Sequence, residues 1–329
     1  MPSTSAFPRR WLLIRQGAIG DTILLSSVIQ AIRLGIPEAW IEVMGIQGRV
    51  ELLVGEGLAD GAVSAERFPL ECLHQEDAPL PPALMDYLGR FDAVVYYTAA
   101  TYPWLRDKMR IHPSQVMRIH PALPPEGYTR HVTNHYLESL HDFFDWNNPP
   151  VPRLALSRQE REAAKQFYLT RGMEPSREYI LAMHVGAGSA RKQAPVAFFE
   201  TAARRLQVRQ PCALLLTQGP ADEPPVCQLR TRLSKDFKIH VIAEQPLRSL
   251  SAYLSHADLF IGNDSGITHL AAAVGCPTVA VFVDSDPALW RPRGSHCVIL
   301  DMRNEDLRSP DWSAWLSRKD FPSSRGKGE

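Results

Sequence analysis

Cysteine is scarce: the 329 residues hold five, Cys72, Cys212, Cys227, Cys276 and Cys297, odd in number, widely spaced and without a C-x-x-C pair. That argues against a disulfide framework or a zinc knuckle and fits a reducing cytoplasm. Net charge is missing as well, with 36 Lys and Arg balanced by 36 Asp and Glu. A protein that coats a polyanion needs a basic excess, so nucleic acid is not an expected partner. Long apolar runs are also lacking. The longest, from Leu270 to Val283, is broken by Gly275 and Pro277, short of the roughly 20 residues a spanning helix needs. Near the start, Trp11-Leu12-Leu13-Ile14 is cut off by Arg15, too short a core for a signal peptide. The chain is expected to keep its first residues and to meet a membrane only at its surface. No repeat of domain-building length occurs, and only the tail from Pro322 reads as unstructured.

What remains is ordinary globular composition, 45% hydrophobic and 22% charged, with length enough for about two domains. Apolar runs bounded by Gly and Pro alternate with helical patterns, the mark of βα units and a parallel sheet. A first series predicts strands at 11–15, 40–44 and 91–97 with a helix over 21–34; residues 64–90 give no clear assignment. A second series predicts strands at 179–185, 212–217, 238–242, 259–262 and 278–283. Helices near 196–207, 223–235, 248–256 and 266–274 fill its gaps, and a further helix is expected at 312–316. Between the series, Asp145-Trp146-Asn147-Asn148-Pro149-Pro150-Val151-Pro152 starves helix and sheet of donors, which places the domain boundary at residue 150. The first 150 residues carry 12 basic and 17 acidic side chains, the rest 24 and 19.

Three strand-end turns could carry chemistry, because open α/β sheets bind ligands at the carboxyl ends of their strands. In Arg15-Gln16-Gly17-Ala18-Ile19-Gly20-Asp21 a strand opens into a helix whose free amides favour an anion. The first glycine of a dinucleotide fingerprint is Arg15 here and the next strand lacks an acidic end, which disfavours NAD. A capped turn with Asp21 at the helix head explains the same residues. His184-Val185-Gly186-Ala187-Gly188-Ser189-Ala190-Arg191-Lys192 has the parts of a phosphate cradle without the ending of a Walker A loop; a solvated surface turn would look alike. Asn263-Asp264-Ser265-Gly266-Ile267-Thr268-His269 joins a hydrophobic strand to a small-residue helix, its short polar side chains able to cap while the first amides face a phosphate. A plain N-cap with a satisfied histidine is its alternative.

Taken together, Arg15-x-x-x-x-Gly20-Asp21, Gly186-x-Gly188-Ser189 with Lys192 and Pro195, Gly219-x-x-x-Glu223, and Asp264-Ser265-Gly266-x-Thr268-His269 resemble glycosyltransferase family 9, the ADP-heptose:lipopolysaccharide heptosyltransferases and their relatives. The likeness runs in order from about Trp11 to Pro292. It implies the GT-B fold, two Rossmann-like domains with parallel sheets facing a cleft, the acceptor on 1–150 and the nucleotide sugar on 151–329. It further implies an inverting, metal-independent transfer with no cofactor beyond the ADP-linked donor. Asp21 would be the general base, and Ser189, Lys192, Gly266, Thr268 and His269 would steady the departing diphosphate. Gly188, Asp264 and Ser265 would complete the donor site, and Glu223 would bind the ribose. Gly20 with Arg106, Lys108 and Arg110, in a cluster that includes Arg118, His112 and His120, would meet a phosphorylated lipopolysaccharide-core or other glycan acceptor. A peripheral inner-membrane contact through Trp11, Tyr102 and Trp104 is compatible with this picture. The alternatives are a nucleotide-sugar-binding protein that does not transfer, against which the Asp21 carboxylate speaks, and an NAD oxidoreductase.

Overall fold

The structure is a computed structural model and describes residues 7–304 apart from 145, 147, 175, 176 and 210. The chain divides into two compact units, the first ending at Ala155 and the second beginning at Leu156.

The first unit runs β1 (Arg10–Arg15), α1 (Ile19–Leu24), α2 (Ser26–Gly35), β2 (Trp40–Gly45), β3 (Gly61–Ser64), α3 (Pro82–Leu88), β4 (Ala93–Thr98), α4 (Leu105–Met109), β5 (Val116–Pro121) and α5 (Val132–Glu138). Its five strands lie in the order β3-β2-β1-β4-β5, all parallel. β1 is central and buried along nearly all its length, which is why it reads as a continuous apolar run rather than an alternating one. The single helix expected over 21–34 is two, meeting at Leu25, which keeps right-handed helical angles (φ −62°, ψ −21°). β3 and β5 escaped the sequence pattern. β3 is only four residues, and β5 is an edge strand whose Arg118 and His120 interrupt the apolar positions. One row of the register sets Gly45, Arg15, Tyr97 and His120 side by side across four strands.

Residues 150–153 belong to this unit, whose end at Ala155 lies five residues past the boundary that the prolines indicated. Ser27 Oγ donates to the Pro150 carbonyl at 2.8 Å, Gln30 Nε2 to that of Val151 at 2.9 Å, and the Arg153 amide to Ser26 Oγ at 3.1 Å. Prolines lack an N–H but keep a carbonyl, and α2 uses these carbonyls to hold the segment. Trp11, considered for a membrane contact, is fully buried edge-on against Phe143, so it offers nothing to a surface.

The second unit runs α6 (Arg158–Thr170), β6 (Tyr179–His184), α7 (Val196–Arg209), β7 (Cys212–Gln218), α8 (Glu223–Leu233), β8 (Lys238–Ala243), α9 (Leu247–Leu254), β9 (Leu259–Asn263), α10 (Gly266–Ala273), β10 (Thr278–Phe282), α11 (Pro287–Trp290) and β11 (Cys297–Asp301). Its strand order is β11-β10-β9-β6-β7-β8, again all parallel. Alternate strand residues such as Leu181, Leu214, Ile261 and Val279 form one face of the core with Phe198 and Leu229 of the covering helices. α6 was not foreseen, although Ser157 and Glu160 form a capping box at its head. Glu160 also pairs with Arg248 of α9 at 2.6 Å, and Phe167 stacks on Tyr253 with ring centroids 3.7 Å apart.

Both sheets have the strand order of a nucleotide-binding Rossmann unit, with the order reversing between β1 and β4 in the first and between β6 and β9 in the second. Among the described residues, no helix is long and apolar enough to cross a membrane. The helix expected at 312–316 and the tail from 322 lie outside the described residues.

Candidate active site

In the first unit the reversal point is occupied by the β1–α1 turn. Asp21 folds back over it, its Oδ2 accepting the Ala18 amide at 2.9 Å and lying 3.2 Å from Arg15 Nη2. Arg15 is buried, and Nη2 also donates to the Ala122 carbonyl and the Tyr136 hydroxyl, each at 3.3 Å. The Tyr136 hydroxyl in turn donates to Asp21 Oδ1 at 3.4 Å. Gly17 makes this pose possible: a Cβ there would stand 2.7 Å from Asp21 Cβ and 2.9 Å from Oδ2. The Asp21 side chain is 19% exposed, so a carboxylate anchored through protein donors still faces an incoming group. Gly20 sits beside it in the first turn of α1. Tyr136, on α5, had no signal in the sequence; the sheet register and helix packing bring it in. Burial pushes the Tyr136 phenol well above its ordinary value, reinforced by the Asp21 charge, so it remains a proton donor.

The expected acceptor cluster is only partly assembled. Lys108 is spent on the fold: its ammonium donates to the carbonyls of Cys72 at 2.7 Å, Glu76 at 3.3 Å and Gln75. An ammonium has three N–H groups, and three carbonyls use them. Arg118 is paired with Asp142, and exposed Arg106 lies 3.5 Å from Asp107. Arg106 and Arg118 nevertheless line one groove with Tyr102 and Ile119. Arg110 is exposed just past α4. His120 is not part of that surface; its Nε2 is buried, and burial together with neighbouring His135 lowers its pKa to about 4.

In the second unit the reversal point holds the other two turns. Lys192 Nζ lies 2.7 Å from Asp264 Oδ2, an oxygen that also accepts from Ser285. Asn263, fully buried, joins the same two turns: its Oδ1 accepts the Ala194 amide at 2.9 Å and its Nδ2 donates to the carbonyls of Val185 at 2.9 Å and Gly186 at 3.2 Å. Ser265 caps α10 by accepting the Thr268 amide, while the Thr268 hydroxyl donates to the Asn263 carbonyl. His269 is buried in the first turns of α10. Gly188 and Ser189 are exposed, and a Cβ on Gly188 would meet nothing within 4 Å. The arrangement presents an ammonium, a hydroxyl and a helix N-terminus at one strand-end rim, the equipment for a diphosphate.

Glu223 lies exposed at the first residue of α8. The acidic residue that turns inward is its neighbour Asp222, which the sequence reading passed over. Asp222 is buried, its Oδ2 accepting the Gly219 amide at 2.8 Å and standing 3.8 Å from His184 Nε2. Gly186 leaves room for it, since a Cβ there would come within 1.9 Å of Asp222 Oδ1. Burial lowers the His184 pKa against the opposing pull of Asp222.

The sequence profile of glycosyltransferase family 9 (heptosyltransferase) matches residues 94–311. The chain belongs to glycosyltransferase family 9. A putative glycosyltransferase of Haemophilus influenzae is 25% identical over 149 residues, 44% of this family 9 chain and 42% of that protein. Lipopolysaccharide heptosyltransferase 3 of Escherichia coli is 43% identical over 87 residues, 26% of either chain. The matched stretches therefore span less than half of these relatives. The solved structure of E. coli ADP-heptose lps heptosyltransferase II superposes with a TM-score of 0.73 at 17% identity, covering 93% of this chain and 96% of that one. That likeness establishes the GT-B fold for this family 9 member. The profile match includes the Gly186–Lys192 and Asn263–His269 turns and begins beyond the Asp21 turn.

Proposed function

We propose that the protein is an inverting glycosyltransferase that moves a heptose from an ADP-linked donor to a lipopolysaccharide-core or related glycan acceptor. The observation that carries the reading is the assembly of Lys192, Asp264 and the capped head of α10 at the point where the second sheet reverses its strand order. Family 9 membership and the names of its relatives supply the sugar and the nucleotide.

In this mechanism Asp21 takes the proton of an acceptor hydroxyl as that oxygen attacks the anomeric carbon from the face opposite the nucleotide, so configuration inverts. Arg15, Ala18 and Tyr136 hold the carboxylate in one rotamer, which removes the entropy of aiming it. Charge building on the departing diphosphate meets Lys192, Ser189 and the head of α10 at Gly266, Thr268 and His269. Asp264 and Ser265 act one step back: the first aims Lys192, the second caps the helix. Gly188 lets the phosphates approach the backbone, and exposed Glu223 accepts from the ribose hydroxyls. The acceptor meets Gly20, Arg106 in the groove and exposed Arg110; Lys108 takes no part. The transfer step itself needs no metal ion and no cofactor, and the enzyme works in the cytoplasm, touching the inner-membrane surface only peripherally.

Thermal unfolding with ADP, UDP, GDP and NAD tests this. A ligand at 100 times its dissociation constant adds about 2.7 kcal/mol to stability. An ADP-selective rise in Tm, followed by transfer from ADP-heptose to a heptose-deficient core, is expected. A response to NAD alone, or to no nucleotide, would overturn the reading.

A further inference from the structure

We propose that His120, His135 and Glu138 form a binding site for one divalent transition-metal ion of the Zn2+ class, separate from the transfer chemistry. β5 delivers His120 near its carboxyl end, and α5 delivers His135 and Glu138 three residues apart on one helix face. One donor atom from each lies within 4.8 Å of the others. Small side-chain rotations bring three such atoms to the roughly 2.0–2.2 Å from a common centre that zinc adopts with imidazole and carboxylate, leaving a fourth position for water.

Two features show that these side chains are prepared for an ion and are not merely packed together. His120 Nε2 and His135 Nδ1 are buried without a hydrogen-bond partner, although buried polar atoms are nearly always paired. His135 as a whole is only 2% exposed. Its other nitrogen, Nε2, lies 2.9 Å from the Pro121 carbonyl, to which it can only donate. That bond leaves the lone pair on Nδ1, the outer-contact pattern of metal-ligating histidines.

Glu138 is arranged to the same end. Tyr128 at 2.8 Å and Arg130 both donate to its Oε1, so Oε2 is the oxygen turned to His135 Nδ1, 3.6 Å away. Two imidazoles and one carboxylate suit zinc and its transition-metal neighbours rather than Mg2+ or Ca2+, which take oxygen. The half-exposed Glu138 provides the way in from solvent. Tyr136 is the next residue after His135, so an ion here stiffens the helix that carries the Asp21 contact.

The test is calorimetric titration of the chelator-stripped full chain with ZnCl2, with CoCl2 absorption as a report on coordination. One equivalent of Zn2+, a rise in Tm and a Co2+ spectrum of four-coordinate type are expected, with no comparable response to MgCl2. Tyr128→Phe, which removes a donor behind the ligand, should weaken Zn2+ by about 10–100-fold. His120→Ala and Glu138→Gln should weaken it by at least as much. Glu138→Gln alters a partly exposed side chain, and a melting curve equal to that of stripped wild type confirms that it folds. No saturable Zn2+ binding, equal Mg2+ binding, or unchanged affinity in His120→Ala and Glu138→Gln would overturn the proposal.

Discussion

Lys192 Nζ and Asp264 Oδ2 lie 2.7 Å apart, tying the turn that follows β6 to the turn that follows β9. The carboxylate is almost wholly buried, whereas the lysine side chain is 35% exposed. One end of the pair is therefore fixed while the ammonium keeps a face toward solvent. Lys192→Ala should abolish most of the ADP-dependent rise in Tm. It should also cost about 1–3 kcal/mol of stability without ligand, because the Asp264 charge loses a partner. Asp264→Asn leaves the cation present but unaimed, so its ADP affinity should fall less than that of Lys192→Ala; the reverse order would show that Asp264, and not Lys192, touches the nucleotide.

Asp21→Asn keeps the shape of the carboxylate and removes its basicity. A drop in kcat of about 10²- to 10⁴-fold is expected, with the ADP-dependent Tm shift retained. Full transfer activity in this variant would remove Asp21 from the role of base.

Gly17→Ala examines the pose of the same carboxylate without touching it. The added Cβ would sit 2.7 Å from Asp21 Cβ, so Asp21 must leave the Ala18 amide or the turn must open. We expect kcat to move toward that of Asp21→Asn, with a stability loss of about 1–3 kcal/mol from overpacking. Normal kinetics in Gly17→Ala would show that the folded-back conformation is dispensable.

Lys108→Met separates two roles for a basic residue. Because the ammonium is committed to the carbonyls of Cys72, Gln75 and Glu76, the variant should lose about 1–2 kcal/mol of stability while the acceptor KM stays put. A raised acceptor KM at unchanged Tm would instead return Lys108 to the acceptor site.

The His184 imidazole, lowered by burial against the pull of Asp222, makes stability depend on pH. Its counterpart in the unfolded chain takes up a proton as pH falls through about 6.5, while the native ring stays neutral. The unfolded state then binds more protons, so stability decreases below about pH 6.5 and levels off once the native ring titrates. Denaturant unfolding between about pH 7 and about pH 5 should show this decline, and His184→Gln should flatten part of it. An identical slope in both proteins would exclude His184 as the source.

Much of this protein was written in local sequence. The continuous apolar runs of β1, β6 and β9, each ending in a turn rich in Gly, Asn, Asp or Ser, gave the parallel strands, the βα alternation and the three ligand-facing turns. Those signals are local because burial on both faces of a sheet demands unbroken hydrophobic residues, and helix heads demand small polar ones. β3, β5 and β11 stayed hidden, since short or edge strands bury too little to force a pattern. Tertiary structure alone decided which charges are available and which are consumed. Lys108 and Arg106 look alike in sequence, yet only one is surrounded by carbonyls. Asp222 and Glu223 are neighbours, yet only the first turns inward, because Gly186 in the turn after β6 leaves space for it. Arg15, Tyr97 and His120 share a register row, and α5 then lays Tyr136 beside Asp21 and His135 beside His120. Side chains more than a hundred residues apart meet there through strand pairing and helix packing, and no periodicity along the chain encodes such a meeting.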